Sequence, residues 1–537
     1  MPGKNCNPSF VIPEDPAGFL AGPGGADLAV TCSVLATLLS AAVVGIEATI
    51  VQVEVDVTAG LPSFTVVGLP DTTVRESRER VRTAIRNSGF EFPWQRITVN
   101  LAPADVRKEG AAFDLPVALG VLAATGLLPC RERPGLLVIG ALSLDGRIQA
   151  VGGVLPVAIA GARRGIATIM VPAANAPEAG VVKGLDVWPV STLAGAADVL
   201  ANGGDAIRYC RDPVAVRDDG IETWGDFADV RGQLLARRAL EVAAAGGHHV
   251  LLTGPPGSGK TMMARRLAGI LPPLSFDEAL EATSIHSVAG LLPAGAGLLS
   301  ARPFRAPHHT ISDVALVGGG TLPRPGELSL AHAGVLFLDE MPEFERRALE
   351  VLRQPLEEGV IRIARAARAV EFPARVTLVG AMNPCQCGYF GHPLRACRCT
   401  PPQRERYASR ISGPLLDRID LCVEVPWLPP NVLGDDRPHE GSAAIRARVM
   451  RAREQQLERG AVSGVPLNSR LHGRALRHLA RPDAEGRELL SDAVQRLALS
   501  GRAHDRVLRV ARTIADLAGR DTVVAEHVAE AIHYRLA

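Results

Sequence analysis

Residues 249–265, HVLLTGPPGSGKTMMAR, restrict what this chain can fold into more than any other stretch. Val250 to Leu252 form an apolar run that predicts a short buried strand, and the spacing from Met262 onward predicts a helix. Between them Gly254, Pro255, Pro256, Gly257, Ser258, Gly259, Lys260 and Thr261 fit the pattern G-x-x-x-x-G-K-[ST]. Strand, glycine-rich loop and helix in this order make a phosphate cradle. The glycines let backbone N–H groups turn inward, and the helix N-terminus adds partial positive charge. Lys260 is expected to reach the β and γ phosphates of ATP, and Thr261 to hold Mg²⁺. Only four of the 58 basic residues are lysines, which makes a lysine at this position the more informative.

The chain has 537 residues, too many for one ordinary core, so roughly two to four domains are expected. Its 47% hydrophobic and 21% charged residues read as a soluble globular protein. The net charge of +1 neither favours nor excludes a nucleic-acid partner. Nine cysteines, four of them between 385 and 399, suggest a reduced cytoplasmic protein with a metal or redox cluster, not a disulfide framework. Leu28 to Ile46 carry no charge but are rich in Ala, Ser and Thr, so a first strand is expected there and no membrane partner.

Residues 1–35 show no sustained period and read as a disordered extension. Residues 36–203 read as one α+β domain: Ile50 to Val57 alternate as a half-buried strand, Thr73 to Ser88 form an amphipathic helix, and Gln95 to Leu101 form another strand. Phe113 to Leu128 then read as an apolar helix, Leu136 to Ile139 as a strand, Gly152 to Arg164 as a helix, and Thr168 to Val171 as a strand. Residues 204–225 are polar and aperiodic, a linker. Residues 226–432 carry the phosphate loop, and residues 433–537 are helical.

Within 36–203, Lys108-Glu-Gly110-Ala-Ala112 and Val151-Gly-Gly153-Val-Leu155 resemble the Lon protease C-terminal domain. That family carries a serine nucleophile in the first motif and a lysine base in the second. The matching positions here are Ala112 and Leu155, which can neither attack a carbonyl nor accept a proton, so an inactive Lon-like fold is expected.

Two further motifs follow the phosphate loop. Gly334-Val-Leu-Phe-Leu-Asp339-Glu340 reads as a buried parallel strand with acids at its C-terminal edge, where open α/β sheets bind ligands. Asp339 is expected to hold Mg²⁺, and Glu340 to orient and deprotonate the attacking water. Val376 to Met382 read as a third strand ending in Asn383, whose amide can polarise that water without adding charge.

The three motifs in this order, about 80 and 40 residues apart, resemble the AAA+ ATPases. Pro303-Phe-Arg-Ala-Pro-His-His-Thr310, Gly326-Glu-Leu-Ser-Leu-Ala-His-Ala-Gly334 and Asn383-Pro-Cys-Gln-Cys-Gly388 narrow the resemblance, with Val66-Val-Gly-Leu-Pro-Asp71, to the magnesium-chelatase-like AAA+ family called YifB or ComM. The resemblance implies an AAA+ P-loop ATPase core, a C-terminal helical lid, ATP and Mg²⁺ as cofactors, and a homo-hexameric ring coupled to DNA. It implies a ComM-type helicase promoting branch migration in natural transformation. It also implies that Arg418 is an arginine finger reaching a neighbouring subunit's ATP and that Arg502 is the sensor 2 arginine, with Arg506 and Arg509 as alternatives. A magnesium-chelatase subunit or a protein-remodelling ATPase remains open.

Residues 358–372 read as a hairpin that in this clade points into the central pore, where Arg365 and Arg368 are positioned to grip DNA phosphates. Nine arginines and two glutamates between Ala443 and Arg481 read as a second basic surface. Cys385, Cys387, Cys397 and Cys399 pair as two C-x-C units, a candidate structural Zn²⁺ site in which His392 can replace one thiolate. His308 and His309 read as structural residues or as pore-lining ones.

Overall fold

The computed structural model describes residues 35–128, 135–203, 207–209, 224–293, 295–320, 323–364, 369–429, 432 and 439–536. The expected extension up to residue 34, most of the expected linker, and Arg365 and Arg368 lie outside the described residues.

The N-terminal unit is a mixed seven-stranded sheet. Its strands are β1 (Ala36–Val44), β2 (Glu47–Thr58), β3 (Ser63–Val67), β4 (Arg96–Ala102), β5 (Leu136–Val138), β6 (Thr168–Pro172) and β7 (Asp186–Val190), in the order β3-β4-β2-β1-β5-β6-β7. β1, β2 and β4 pair antiparallel, whereas β5, β6 and β7 run parallel to one another. The alternation in β2 has the expected consequence: Val51, Val53, Val55 and Val57 are buried, because successive side chains leave opposite faces of a strand. The uncharged stretch across residues 36–44 is the strand β1, its backbone groups satisfied by β2.

Helices α1 (Thr72–Asn87), α2 (Asp114–Ala124), α3 (Val154–Arg163) and α4 (Leu193–Asn202) cover the sheet. Asp71 caps α1, accepting from the Val74 N–H at 2.7 Å. Every residue of α2 is buried, which explains its uniformly apolar sequence, and its one acid, Asp114, forms an ion pair with Arg80. Helix α2 stops four residues earlier than the sequence predicts, at Thr125 and the left-handed Gly126. Strand β7 and helix α4 were not among the expected elements.

The second unit is built on five parallel strands: β8 (Val250–Thr253), β9 (Phe304–Arg305), β10 (Val335–Leu338), β13 (Thr377–Met382) and β14 (Leu421–Glu424). Between β10 and β13 lies the antiparallel hairpin β11 (Val360–Ala364) and β12 (Ala369–Pro373). The sheet order is β9-β10-β13-β8-β14. Helices α5 (Leu234–Gly246), α6 (Lys260–Ile270) and α7 (Phe276–Val288) flank it, and α8 (Pro401–Ala408) lies between β13 and β14. Val250 and Leu252 enter one apolar cluster and Leu251 the other, so the strand is buried on both faces.

Helices α9 (Ser442–Ser463), α10 (Gly473–Leu479), α11 (Ala484–Arg496), α12 (Gly501–Leu517) and α13 (Ala525–Leu536) complete the chain. Val449, Val507, Ile514 and Tyr534 share the apolar cluster that holds Val250 and Leu252, so these helices pack on the sheet unit. Among the described residues, no helix is long and apolar enough to cross a membrane.

Candidate functional site

Three parallel strands end side by side. β8 lies between β13 and β14, and β10 lies on the far side of β13. Their C-terminal ends therefore present the phosphate loop, Asp339 with Glu340, and Asn383 along one edge. The loop is shaped by its glycines: Gly257 and Gly259 have φ of +79° and +92°, and a Cβ on Gly254 would lie 2.1 Å from the Val425 carbonyl oxygen.

Lys260 donates to the carbonyl oxygens of Gly254 at 2.7 Å and Pro255 at 3.0 Å, and to Asn383 Oδ1 at 3.3 Å. Burial lowers the pKa of its ammonium, while Asp339 and Glu340 act in the opposite direction. Thr261 Oγ1 donates to Asp339 Oδ2 at 2.8 Å. Ser258 Oγ is buried without a hydrogen-bond partner among the described residues, a group that a phosphate oxygen would satisfy. The Thr261 hydroxyl and the Asp339 carboxylate are hard oxygen donors that suit Mg²⁺. This donor set and cradle fit a Mg²⁺-nucleotide.

Glu340 has φ +51° and ψ +44°, a left-handed conformation that costs a non-glycine residue roughly 1–2 kcal/mol. The turn aims its half-exposed carboxylate off the strand end. His309 Nδ1 stands 3.9 Å from Glu340 Oε2 and stacks on His308 with centroids 4.1 Å apart. The sequence left these histidines without a chemical role, and their proximity to Glu340 arises from β9 pairing alongside β10. Tyr407 and Gln233 were missed altogether. Burial pushes the pKa of the Tyr407 hydroxyl up to about 12, and the nearby backbone N–H of Asn383 acts in the opposite direction. Gln233 Nε2 ties Pro426 to the phosphate loop, donating at 2.7 Å to the Pro426 carbonyl and at 3.4 Å to that of Ser258.

Arg418 and Arg502 are elsewhere. Both line a cleft of ≈ 1500 Å³, with Arg453, Arg470, Arg506 and Arg509, that no residue of 254–261 enters. Arg418 donates to Glu357 Oε2 at 2.5 Å and to the Arg353 carbonyl at 2.7 Å, an intrachain ion pair. Arg506 is buried against Asp417 at 2.9 Å, and Arg509 donates to the Leu471 carbonyl, which leaves Arg502 as the exposed arginine at the start of α12.

The expected basic surface between residues 443 and 481 is partly internal. Arg448 pairs with Glu241 and Glu440, Arg459 pairs with Asp516, and Arg453 is half-buried and donates to the Ala244 carbonyl, with desolvation lowering its pKa to about 9. The four cysteine sulfurs lie within 4.8 Å of one another. His392 is not with them: its Nδ1 accepts from the N–H groups of Leu394 and Arg395, and its ring meets Trp427.

Leu155 is fully buried at the start of α3, and Ala112 lies in the short turn before α2. The Gly152-Gly153 segment is an interface: Gly153 N–H donates to Ser287 Oγ at 2.8 Å, and Ser287 in turn donates to the buried Glu178. Glu178 also accepts from the Leu155 and Asn175 side of the same contact, and burial raises its pKa.

Family models agree with this layout. Those described as "Magnesium chelatase, subunit ChlI", "Subunit ChlI of Mg-chelatase" and "Magnesium chelatase, subunit ChlI C-terminal" match residues 226–433, 53–175 and 439–535. The protein YifB of Salmonella typhimurium is 43% identical over 502 residues, 93% of this chain and 97% of that protein. The competence protein ComM of Haemophilus influenzae is 44% identical over 506 residues, again 93% and 97%. The chain belongs to the YifB/ComM family of magnesium-chelatase-like AAA+ ATPases. The similarity of this chain to a chelatase subunit proper is narrower: the magnesium-chelatase 38 kDa subunit of Rhodobacter capsulatus is 29% identical over 29% of this chain and 50% of that protein.

Proposed function

We propose that the chain is a Mg²⁺-dependent ATPase that works as a homo-hexameric, cytoplasmic ring and moves branched DNA, as a ComM-type branch-migration helicase. The observation that carries the ATPase reading is the convergence of Lys260, Thr261, Asp339 and Asn383 on one sheet edge. The DNA reading is supported by the similarity to a competence protein over nearly the whole chain.

In this reading Lys260 and the backbone N–H groups of residues 257–261 bind the phosphates. Thr261 and Asp339 would hold Mg²⁺, which when bound would supply positive charge that offsets the negative charge of the phosphates. Glu340 accepts the proton of the attacking water, and Asn383 orients that water from the neighbouring strand. Arg418, far from its own phosphate loop, supplies charge to the site of the adjacent subunit. Arg502 lines the same cleft and would serve that same neighbouring site. The helices from α9 onward act as the lid. The N-terminal unit is Lon-like without peptidase chemistry, its second motif used to dock on α7.

The test is the ATPase rate with and without forked or Holliday-junction DNA, with Glu340→Gln as the control. Stimulation by DNA, lost in the control, supports the motor. Basal hydrolysis with no response to DNA overturns the DNA reading and favours a chelatase-type or protein partner.

A further inference from the structure

We propose that Cys385, Cys387, Cys397 and Cys399 bind one Zn²⁺ through four thiolates, and that this ion clamps the Asn383 turn onto the phosphate loop, so that ATP hydrolysis depends on zinc occupancy. The second half rests on the ATPase reading above, and the first half does not.

The geometry of the sulfurs carries the metal. Cys385 Sγ lies 3.4 Å from Cys387 Sγ and 3.7 Å from Cys397 Sγ, and Cys387 Sγ lies 3.7 Å from Cys397 Sγ. A tetrahedral ion with Zn–S of about 2.3 Å separates its sulfurs by about 3.8 Å. A disulfide needs about 2.05 Å. Three of the sulfurs thus have the spacing of a tetrahedral site and not of a bond, and Cys399 Sγ lies within 4.8 Å of each of them. Four thiols with that spacing, one of them fully buried, gain little from one another, whereas four thiolates around a divalent cation are charge-compensated. The Cys399 N–H donates to Cys397 Sγ at 3.4 Å, a hydrogen bond that stabilises a thiolate there. The fifth described cysteine, Cys422, lies on β14 outside the cluster and serves as an internal control.

The position of the cluster carries the coupling. Cys385 and Cys387 follow Asn383 at the end of β13, and Cys397 and Cys399 precede Thr400, the residue that caps α8. The ion would therefore join the end of the strand that leads to Asn383 to the helix that starts after Thr400. The first turn of the cluster also touches the phosphate loop. Gly388, held by its N–H to the Cys385 carbonyl at 2.9 Å, packs so tightly that a Cβ there would lie 2.7 Å from Pro256 Cδ. Asn383 faces Lys260 at 3.3 Å. The two large apolar side chains between the cysteine pairs, Phe390 and Leu394, are exposed and do not anchor the segment in a core. Without the ion, the turn that sets Asn383 would be free to move off Pro256.

Elemental analysis of the full chain, purified under reducing conditions, should give one zinc per chain. Cys397→Ser with Cys399→Ser should fall below one tenth of that, and Cys422→Ser should keep it. Replacing the ion with Co²⁺ should give the near-ultraviolet thiolate charge-transfer band and the visible bands of a tetrahedral sulfur site, in the absence of any nucleotide. Full-length protein lacking these bands and binding less than a tenth of an equivalent overturns the site, whatever the ATPase assay reads. For the coupling, zinc-stripped wild type with unchanged circular dichroism should hydrolyse ATP at least tenfold more slowly, with nucleotide binding retained, and should recover when Zn²⁺ is restored. Full-rate hydrolysis by the stripped protein overturns the clamp while leaving the site. If neither form hydrolyses ATP, the ATPase reading itself fails, and the cobalt spectrum still decides the site.

Discussion

Thr261 and Asp339, 78 positions apart, share a 2.8 Å hydrogen bond because β8 and β10 end on either side of β13. Each residue is ordinary alone. Together they place a hydroxyl and a carboxylate oxygen where the proposed function would have Mg²⁺ held. Asp339→Asn should leave the fold intact and reduce Mg²⁺-dependent ATP hydrolysis by roughly 10²-fold or more, since a neutral amide cannot hold the ion as a carboxylate does. Near-normal turnover at saturating Mg²⁺ would remove Asp339 from the site.

Arg418 gives a test of subunit sharing. Arg418→Ala should bind nucleotide with near-normal affinity and lose on the order of 10³-fold in hydrolysis. Lys260→Ala should fail to bind. Mixing the two inactive variants should restore part of the activity, because one supplies the phosphate loop and the other the arginine. If the mixture stays inactive although mixed rings form, the finger does not act between subunits. The ion pair with Glu357 must open for Arg418 to reach outward, so Glu357→Gln should not lower turnover.

Glu178 predicts a pH dependence at the contact between the two units. Burial raises its folded-state pKa above the unfolded value, so the folded form binds the proton more tightly. Its contribution to stability is therefore full below about pH 4.5 and is lost as the pH rises through the raised folded value. The melting temperature of wild type relative to Glu178→Gln should be higher at pH 5 than at pH 8. A difference that does not change with pH would mean that the carboxylate titrates normally.

Gly334 predicts a steric limit. A Cβ there would lie 1.9 Å from the Pro303 carbonyl oxygen, because β9 and β10 meet at that point. Gly334→Ala should destabilise the protein by about 3 kcal/mol, measured as a shift in the denaturant midpoint at constant slope. Wild-type stability would show that the two strands can separate at no cost.

Much of this was written locally. The phosphate loop, the acid pair after β10 and Asn383 after β13 were legible because strand, turn and helix signals are short-range. The family resemblance supplied their order. The alternation of β2 was legible for the same reason. Strand β7 and helix α4 escaped because a five-residue strand interrupted by Pro189 gives little periodic signal. The arginines between 443 and 481 read as a surface because charge patterning carries no information about partners. Glu241, Glu440 and Asp516, which take up two of those arginines, lie on other elements.

The sequence by itself determined which chemical groups exist and which backbone shape each needs: glycines where φ is positive, a lysine at a helix start, acids at a strand end. The tertiary structure decided proximity. The parallel order β9-β10-β13-β8-β14 brings Lys260 to Asn383, Thr261 to Asp339 and His309 to Glu340, and it keeps Arg418 and Arg502 in another cleft. Pairing between distant strands depends on which apolar faces can be buried together, a property of the whole packed chain that local spacing does not encode.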